Sequence, residues 1–275
     1  MHTINCKGTL IDLISPKIMG ILNITPDSFY DGGQYTSDSA ILKQVELMLD
    51  EGADFIDVGA YSSKPQAKKI SENEELQRLI KPIELIVSEF PEAYISVDTF
   101  RSKVAESAIN AGACMVNDIS GGSLDAEMFK CIAKYKVPYV LMHMQGTPQN
   151  MQNKPQYKDI VLDIRHYFSK KVAELHSLGV NDIILDLGFG FGKTVTHNYT
   201  LLNNLNLFKS FNLPLMVGIS RKSMLYKILK TSAESALNAT TVAHTIALQN
   251  GASILRVHDV KEAKETLHIF KQLQN

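Results

Sequence analysis

The chain has no tryptophan, only three cysteines and almost no net charge, with 28 Lys and Arg against 29 Asp and Glu in 275 residues. Each scarcity excludes something. Cys6, Cys114 and Cys131 are odd in number, far apart and outside any C-x-x-C pair, which argues against a disulfide scaffold or a structural zinc site. They read as buried reduced thiols, and the expected compartment is cytoplasmic. The near-neutral balance gives no bulk attraction to nucleic acid or membrane. No stretch approaches the ~18 apolar residues of a membrane helix, and the segment after Met1 lacks the basic start and long apolar core of a signal peptide. What remains, 45% hydrophobic and 21% charged residues, suits a soluble globular enzyme.

Against these absences stands one repeated pattern: a short apolar run closed by a polar residue, then a loop, then an amphipathic segment. Ile183-Ile184-Leu185-Asp186 followed by Leu187-Gly188-Phe189-Gly190-Phe191-Gly192-Lys193 is the clearest instance. Apolar runs bounded by turn signals read as buried parallel strands. The glycines allow sharp turns and close approach to a ligand, and the two phenylalanines are expected to wall a dry pocket. Strands are expected at 18–22, 55–59, 94–97, 113–116, 138–142, 183–185, 215–218 and 253–255. Helices are expected at 40–51, from the acids Glu72, Glu74 and Glu75 onward, and at 101–110, 125–135, 159–178, 199–208, 224–229, 239–249 and 261–273. Residues 4–14 alternate loosely around Gly8 and suggest a hairpin closing the bottom of the fold. An eightfold βα alternation fits a single-domain (β/α)8 TIM barrel over residues 1–275, with a short N-terminal hairpin in 1–15. An open doubly wound sheet is the alternative. The barrel is favoured by its strand count and by polar residues at all eight strand ends, which would converge on one mouth.

Those ends carry Asn23, Asp57, Asp98, Asn117, His143, Asp186, Lys222, Arg256 and His258. For Asp57 and Asp118, helix capping or loop bracing weighs as much as ligand contact. Asp98, Asn117 and Asp186 suit a flat heterocycle with several N–H donors, such as the amino-pyrimidine edge of a pterin or guanine. Buried carboxylates need such a partner or a metal between them. Arg256, His258, Lys222, Lys64 and Ser63 suit an anion, and Asn23 offers a neutral oxygen that could hold Mg2+ together with a phosphate. Gly192-Lys193-Thr194 resembles the end of a P-loop, but Leu187 occupies the position that must be glycine, so nucleotide hydrolysis on this motif is rejected. The histidines show no zinc spacing.

Several of these segments together resemble the dihydropteroate synthases. They are Asn23-Ile24-Thr25-Pro26-Asp27-Ser28-Phe29 with Asp31-Gly32-Gly33, then Asp57-Val58-Gly59 with Ser62-Ser63-Lys64-Pro65, and Ser96-Val97-Asp98-Thr99. Further on come Val116-Asn117-Asp118, Met142-His143-Met144, the Asp186–Lys193 stretch, Gly218-Ile219-Ser220-Arg221-Lys222-Ser223 and Arg256-Val257-His258. The resemblance implies attack of 4-aminobenzoate on 6-hydroxymethyl-7,8-dihydropterin diphosphate, with loss of diphosphate. It implies pterin binding by Asp98, Asn117, Asp186 and Lys222, and diphosphate binding by Asn23, Ser63, Arg256 and His258 with Mg2+ at Asn23. It also implies a 4-aminobenzoate pocket of Ser63, Lys64, Pro65, Phe191, Ser220 and Lys222, which sulfonamides would contest. Asp27 and Asp31 would lie in a loop closing over the reacting centre, with Lys222 and Arg256 as catalytic cations, and the assembly would be a homodimer. The second loop departs from the family's usual Glu-Ser-Thr-Arg-Pro-Gly, with Lys64 keeping the charge but losing the planar fork. Two rivals remain: a pterin-dependent methyl transfer to a corrinoid, which has no use for gathered diphosphate-binding cations, and an inactive pterin-binding protein.

Overall fold

The computed structural model describes residues 3–24, 36–61, 70–147, 151 and 155–273. Eight parallel strands close into a barrel: β3 (Lys17–Asn23), β4 (Phe55–Gly59), β5 (Ile95–Asp98), β6 (Met115–Asp118), β7 (Tyr139–Met142), β8 (Ile183–Asp186), β9 (Leu215–Val217) and β10 (Ile254–Val257). Each pairs with the next, and β10 closes on β3 with Arg256 opposite Met19. Helices α1 (Thr36–Asp50), α2 (Glu72–Glu89), α3 (Ser102–Asn110), α4 (Met128–Tyr135), α5 (Ile160–Ser177), α6 (Val195–Asn203), α7 (Ser223–Tyr226), α8 (Leu237–Gln249) and α9 (Val260–Gln272) lie between successive strands or after the last.

The apolar strand runs are explained by burial on two sides. Outward residues such as Ile18, Ile56, Val58, Ile95 and Val97 pack in one cluster with helix residues that include Leu79, Ile83 and Leu267. Inward residues Met19, Phe55, Met115, Val140, Ile184, Met216 and Ile254 form a second cluster. The hairpin, β1 (Thr3–Cys6) paired antiparallel to β2 (Thr9–Asp12), adds Ile4, Cys6, Ile11 and Leu13 to that cluster and plugs the barrel base. Cys6 and Cys114 are buried there and not joined to each other. Because side chains alternate along a strand, Phe55 inward at the base puts Asp57 inward one pleat higher and Gly59 at the rim.

Some expected boundaries move. The helix expected at 199–208 begins at Val195, where Thr194 and His197 form a reciprocal capping box that the β-branched Thr-Val-Thr run hides. It ends at Asn203, and a 3-10 helix, Leu205–Phe211, follows. Strand β6 starts at Met115 and contains Asn117 and Asp118, so both belong to the barrel wall. Phe189 is fully buried within the outer core; of the two loop phenylalanines only Phe191 is partly open. Among the described residues no helix is long and apolar enough to cross a membrane.

Candidate active site

All eight barrel strands point the same way, so their C-terminal ends share one mouth, the usual location of chemistry on this barrel. The centre of that mouth is a charge network. Asp57, wholly buried, accepts through Oδ2 from Asn117 Nδ2 at 2.9 Å and from Arg256 Nε at 2.6 Å. Arg256 Nη2 donates to Asp98 Oδ2 at 2.8 Å. Burial pushes the Asp98 carboxyl up to about 7, although Arg256 pulls it down. The anion-binding arginine expected from sequence therefore lies among the acids expected to hold the ring. A buried carboxylate and a half-buried one beside it require a cation, and this strand-borne guanidinium supplies it.

Asp186, at the end of β8, is buried and accepts from Gly188 N at 2.8 Å. Burial raises its pKa, and Lys222 is the strongest influence holding it down. Lys222 donates to the Phe189 carbonyl at 2.6 Å and stands 4.7 Å from the Phe191 ring centre. Burial lowers its pKa to about 8, with Asp186 opposing. Gly188 adopts φ +68°, and an added Cβ would sit 2.0 Å from the His143 carbonyl oxygen, so only glycine lets the loop turn against β7. Lys193 fixes that loop from below: Nζ donates to the carbonyls of His143 at 3.1 Å, Gly188 at 2.9 Å and Phe191 at 2.9 Å. The P-loop-like lysine is thus a buried tie between loop carbonyls.

Ser220 and His258, expected in different subsites, are neighbours: Ser220 Oγ accepts from the His258 backbone N at 3.2 Å and lies 3.1 Å from Nδ1. Burial and Arg256 lower the His258 pKa, so the ring is neutral at pH 7 and offers hydrogen bonds rather than charge. Asn23 is exposed at the tip of β3, the strand beside β10. Asp27, Asp31, Ser63, Lys64 and Pro65 lie outside the described residues.

Two acids take bracing roles. Asp118 accepts from Ser120 N at 2.7 Å, Gly122 N at 2.8 Å and Tyr139 Oη at 2.7 Å, so the bracing alternative holds for it. Glu75, read as a helix-start acid, is fully buried and pairs with Arg101 and Thr99. Arg101 also donates to the Ile70 carbonyl at 2.8 Å and lies 5.8 Å from the Tyr61 ring centre. The site members that sequence reasoning undervalued, Asp57 and Lys193, each carried a signal. Asp57 is an acid at an inward position of an otherwise apolar strand, and Lys193 is a lysine inside a glycine loop.

A family described as pterin binding enzymes matches residues 19–258, and the chain belongs to that family. Its relatives include dihydropteroate synthases. That of Escherichia coli K12 is 43% identical over 267 residues, covering 96% of this chain and 94% of the relative. Among solved structures, the Yersinia pestis dihydropteroate synthase in complex with a sulfonamide drug superposes with a TM-score of 0.92 at 39% identity, covering 99% of each chain. The Xanthomonas albilineans dihydropteroate synthase in complex with 7,8-dihydropteroate gives 0.89 at 32% identity, covering 99% of this chain and 98% of that one.

Proposed function

We infer that the protein is a dihydropteroate synthase. It transfers the pterinylmethyl group of 6-hydroxymethyl-7,8-dihydropterin diphosphate to the amino nitrogen of 4-aminobenzoate, giving 7,8-dihydropteroate and diphosphate for folate synthesis. The observation that carries this is the single mouth where Asp98, Asn117 and Asp186 meet Arg256 and Lys222: acceptors for a donor-rich ring beside cations for its leaving group.

In the reaction the methylene C–O bond breaks, its electron pair leaves on diphosphate, a C–N bond forms and the amine loses a proton to solvent. Asp98 and Asp186 accept from ring N–H groups and favour positive charge developing on the ring and methylene, consistent with C–O cleavage running ahead of attack. Arg256, Lys222 and the neutral His258 oppose the charge arriving on diphosphate. Phe191, beneath Lys222, gives the 4-aminobenzoate ring an apolar wall beside Ser220. By the family resemblance, Asp27 and Asp31 would help exclude water from the methylene, and Ser63, Lys64 and Pro65 would serve the aminobenzoate.

Mg2+ suits Asn23. Asn23 is exposed at the tip of β3, one strand from Arg256, and Mg2+ keeps several waters and binds through few protein oxygens plus substrate phosphates. Bound there, the ion would neutralise diphosphate charge. A homodimer is supported by an apolar outer face: Tyr199 on α6, Ile228 and Leu229 after α7, and Val242 and Ile246 one turn apart on α8 are exposed on elements packed together. The unjoined Cys6 and Cys114 thiols suit the reducing cytoplasm. Incubation of the chain with dihydropterin diphosphate, 4-aminobenzoate and Mg2+ should yield dihydropteroate and stoichiometric diphosphate by chromatography; neither product appearing would refute the assignment. A sulfonamide should inhibit competitively against 4-aminobenzoate and not against the pterin.

A further inference from the structure

We propose that Asp57 is a positioning residue of the pterin pocket, turning the Asn117 amide so that its oxygen faces the ligand and setting the posture of Arg256. The proposal rests on the pterin-transfer function above and extends it to a residue that touches neither substrate.

Asp57 is fully buried and sits one pleat below the rim, where the alternation of β4 aims it inward. Its Oδ2 holds two functional side chains at once, Asn117 through Nδ2 and Arg256 through Nε. An ionised carboxylate only accepts, so the amide cannot flip without setting oxygen against oxygen. Asn117 is left with its carbonyl for the ligand. Three acceptors then face the ring, from Asp98, Asn117 and Asp186, a set that matches an amino-pyrimidine edge rich in N–H groups. A flipped amide would put donors there and match a ring of different protonation.

The same oxygen anchors Arg256 by Nε, while Nη2 reaches Asp98 and Nη1 makes no hydrogen bond among the described residues. The fork is thus held at its inner edge and open at its outer edge, where an anion can approach. Asp57 Oδ1 is buried with no hydrogen-bond partner. An acid serving only to brace the backbone would be expected to satisfy both oxygens, as Asp118 does.

The test compares wild type with Asp57→Asn and Asp57→Glu, using the full chain with dihydropterin diphosphate, 4-aminobenzoate and Mg2+. Asp57→Asn should raise KM for dihydropterin diphosphate at least tenfold, leave KM for 4-aminobenzoate within twofold and keep the wild-type circular dichroism spectrum. Calorimetry with 6-hydroxymethylpterin should show a matching loss of affinity. That readout decides the matter even if wild type releases no diphosphate, an outcome that would sink the transfer function and leave the pocket question answerable. Added to an Asn117→Ala, Arg256→Gln chain, Asp57→Asn should weaken pterin binding less than threefold further, because the groups it positions are gone. Wild-type pterin affinity in Asp57→Asn overturns the proposal, as does an equal rise in both KM values with a lowered melting temperature. Should the Asn variant not fold, Asp57→Glu decides: a selective pterin defect supports the proposal and parity with wild type overturns it.

Discussion

Lys222 and Asp98 bracket neutrality from opposite sides. Asp98 must be a carboxylate to accept from ring N–H groups, and with its pKa pushed up to about 7 it loses that form as pH falls through 7. Lys222 must be an ammonium to meet the leaving group, and with its pKa drawn down to about 8 it loses the charge as pH rises through 8. The free enzyme should therefore show a narrow bell in kcat/KM with limbs near 7 and 8, the apparent values belonging to the coupled set. In Lys222→Arg the alkaline limb should move above pH 10 while the acid limb stays, at a lower maximum. A flat profile across pH 6 to 9 would contradict these assignments. Lys222→Ala should leave the fold intact and cut turnover at least a hundredfold, in line with loss of a charge stabilising group.

At the scale of elements, two buried ties hold the loops that shape the mouth. Arg101, at the start of α3, joins α2 and both described flanks of residues 62–69, through Glu75, the Ile70 carbonyl and Tyr61. Arg101→Met leaves Glu75 charged, buried and unpaired, which should cost about 3–5 kcal/mol in urea unfolding at pH 8. The deficit should shrink on acidification, because Glu75, already pushed upward by burial, then takes up a proton. Lys193→Met strips three loop carbonyls of their shared donor. It should destabilise by on the order of 3 kcal/mol and raise KM for 4-aminobenzoate, since Phe191 is one of the three. Element order and type were legible in the sequence because doubly buried strands must be greasy and their ends need not be. Of the two ties only Lys193 was marked locally, as a lysine inside a glycine loop; nothing local marks Glu75 as buried. The candidate site was half legible. Strand-end position revealed which residues face the mouth, but the clasp of Arg256 on Asp57 and Asp98 joins positions 199 and 158 residues apart, beyond any local pattern.

On the scale of the whole molecule, the apolar residues of α6 to α8 named above are exposed on the outer surface. Val242→Glu with Ile246→Lys should convert a sedimenting dimer to monomer, with product formation retained; a monomeric wild type would remove the homodimer from the proposal. The hairpin is the base counterpart. Ile4→Asp buries a charge among Met19, Phe55 and Met115 and should lower the melting temperature with KM for either substrate unchanged. The seam of the barrel has a different kind of consequence. β10 bonds to both β9 and β3, so the barrel strand furthest along the chain is the one that closes the circle. A nascent chain stopped short of Ser253 is a seven-stranded ribbon with two sticky margins and Asp57 still lacking its arginine. The enzyme therefore acquires its ring closure and its chemistry in the same late event of synthesis, and premature termination anywhere upstream yields a species prone to self-association rather than a weakened catalyst.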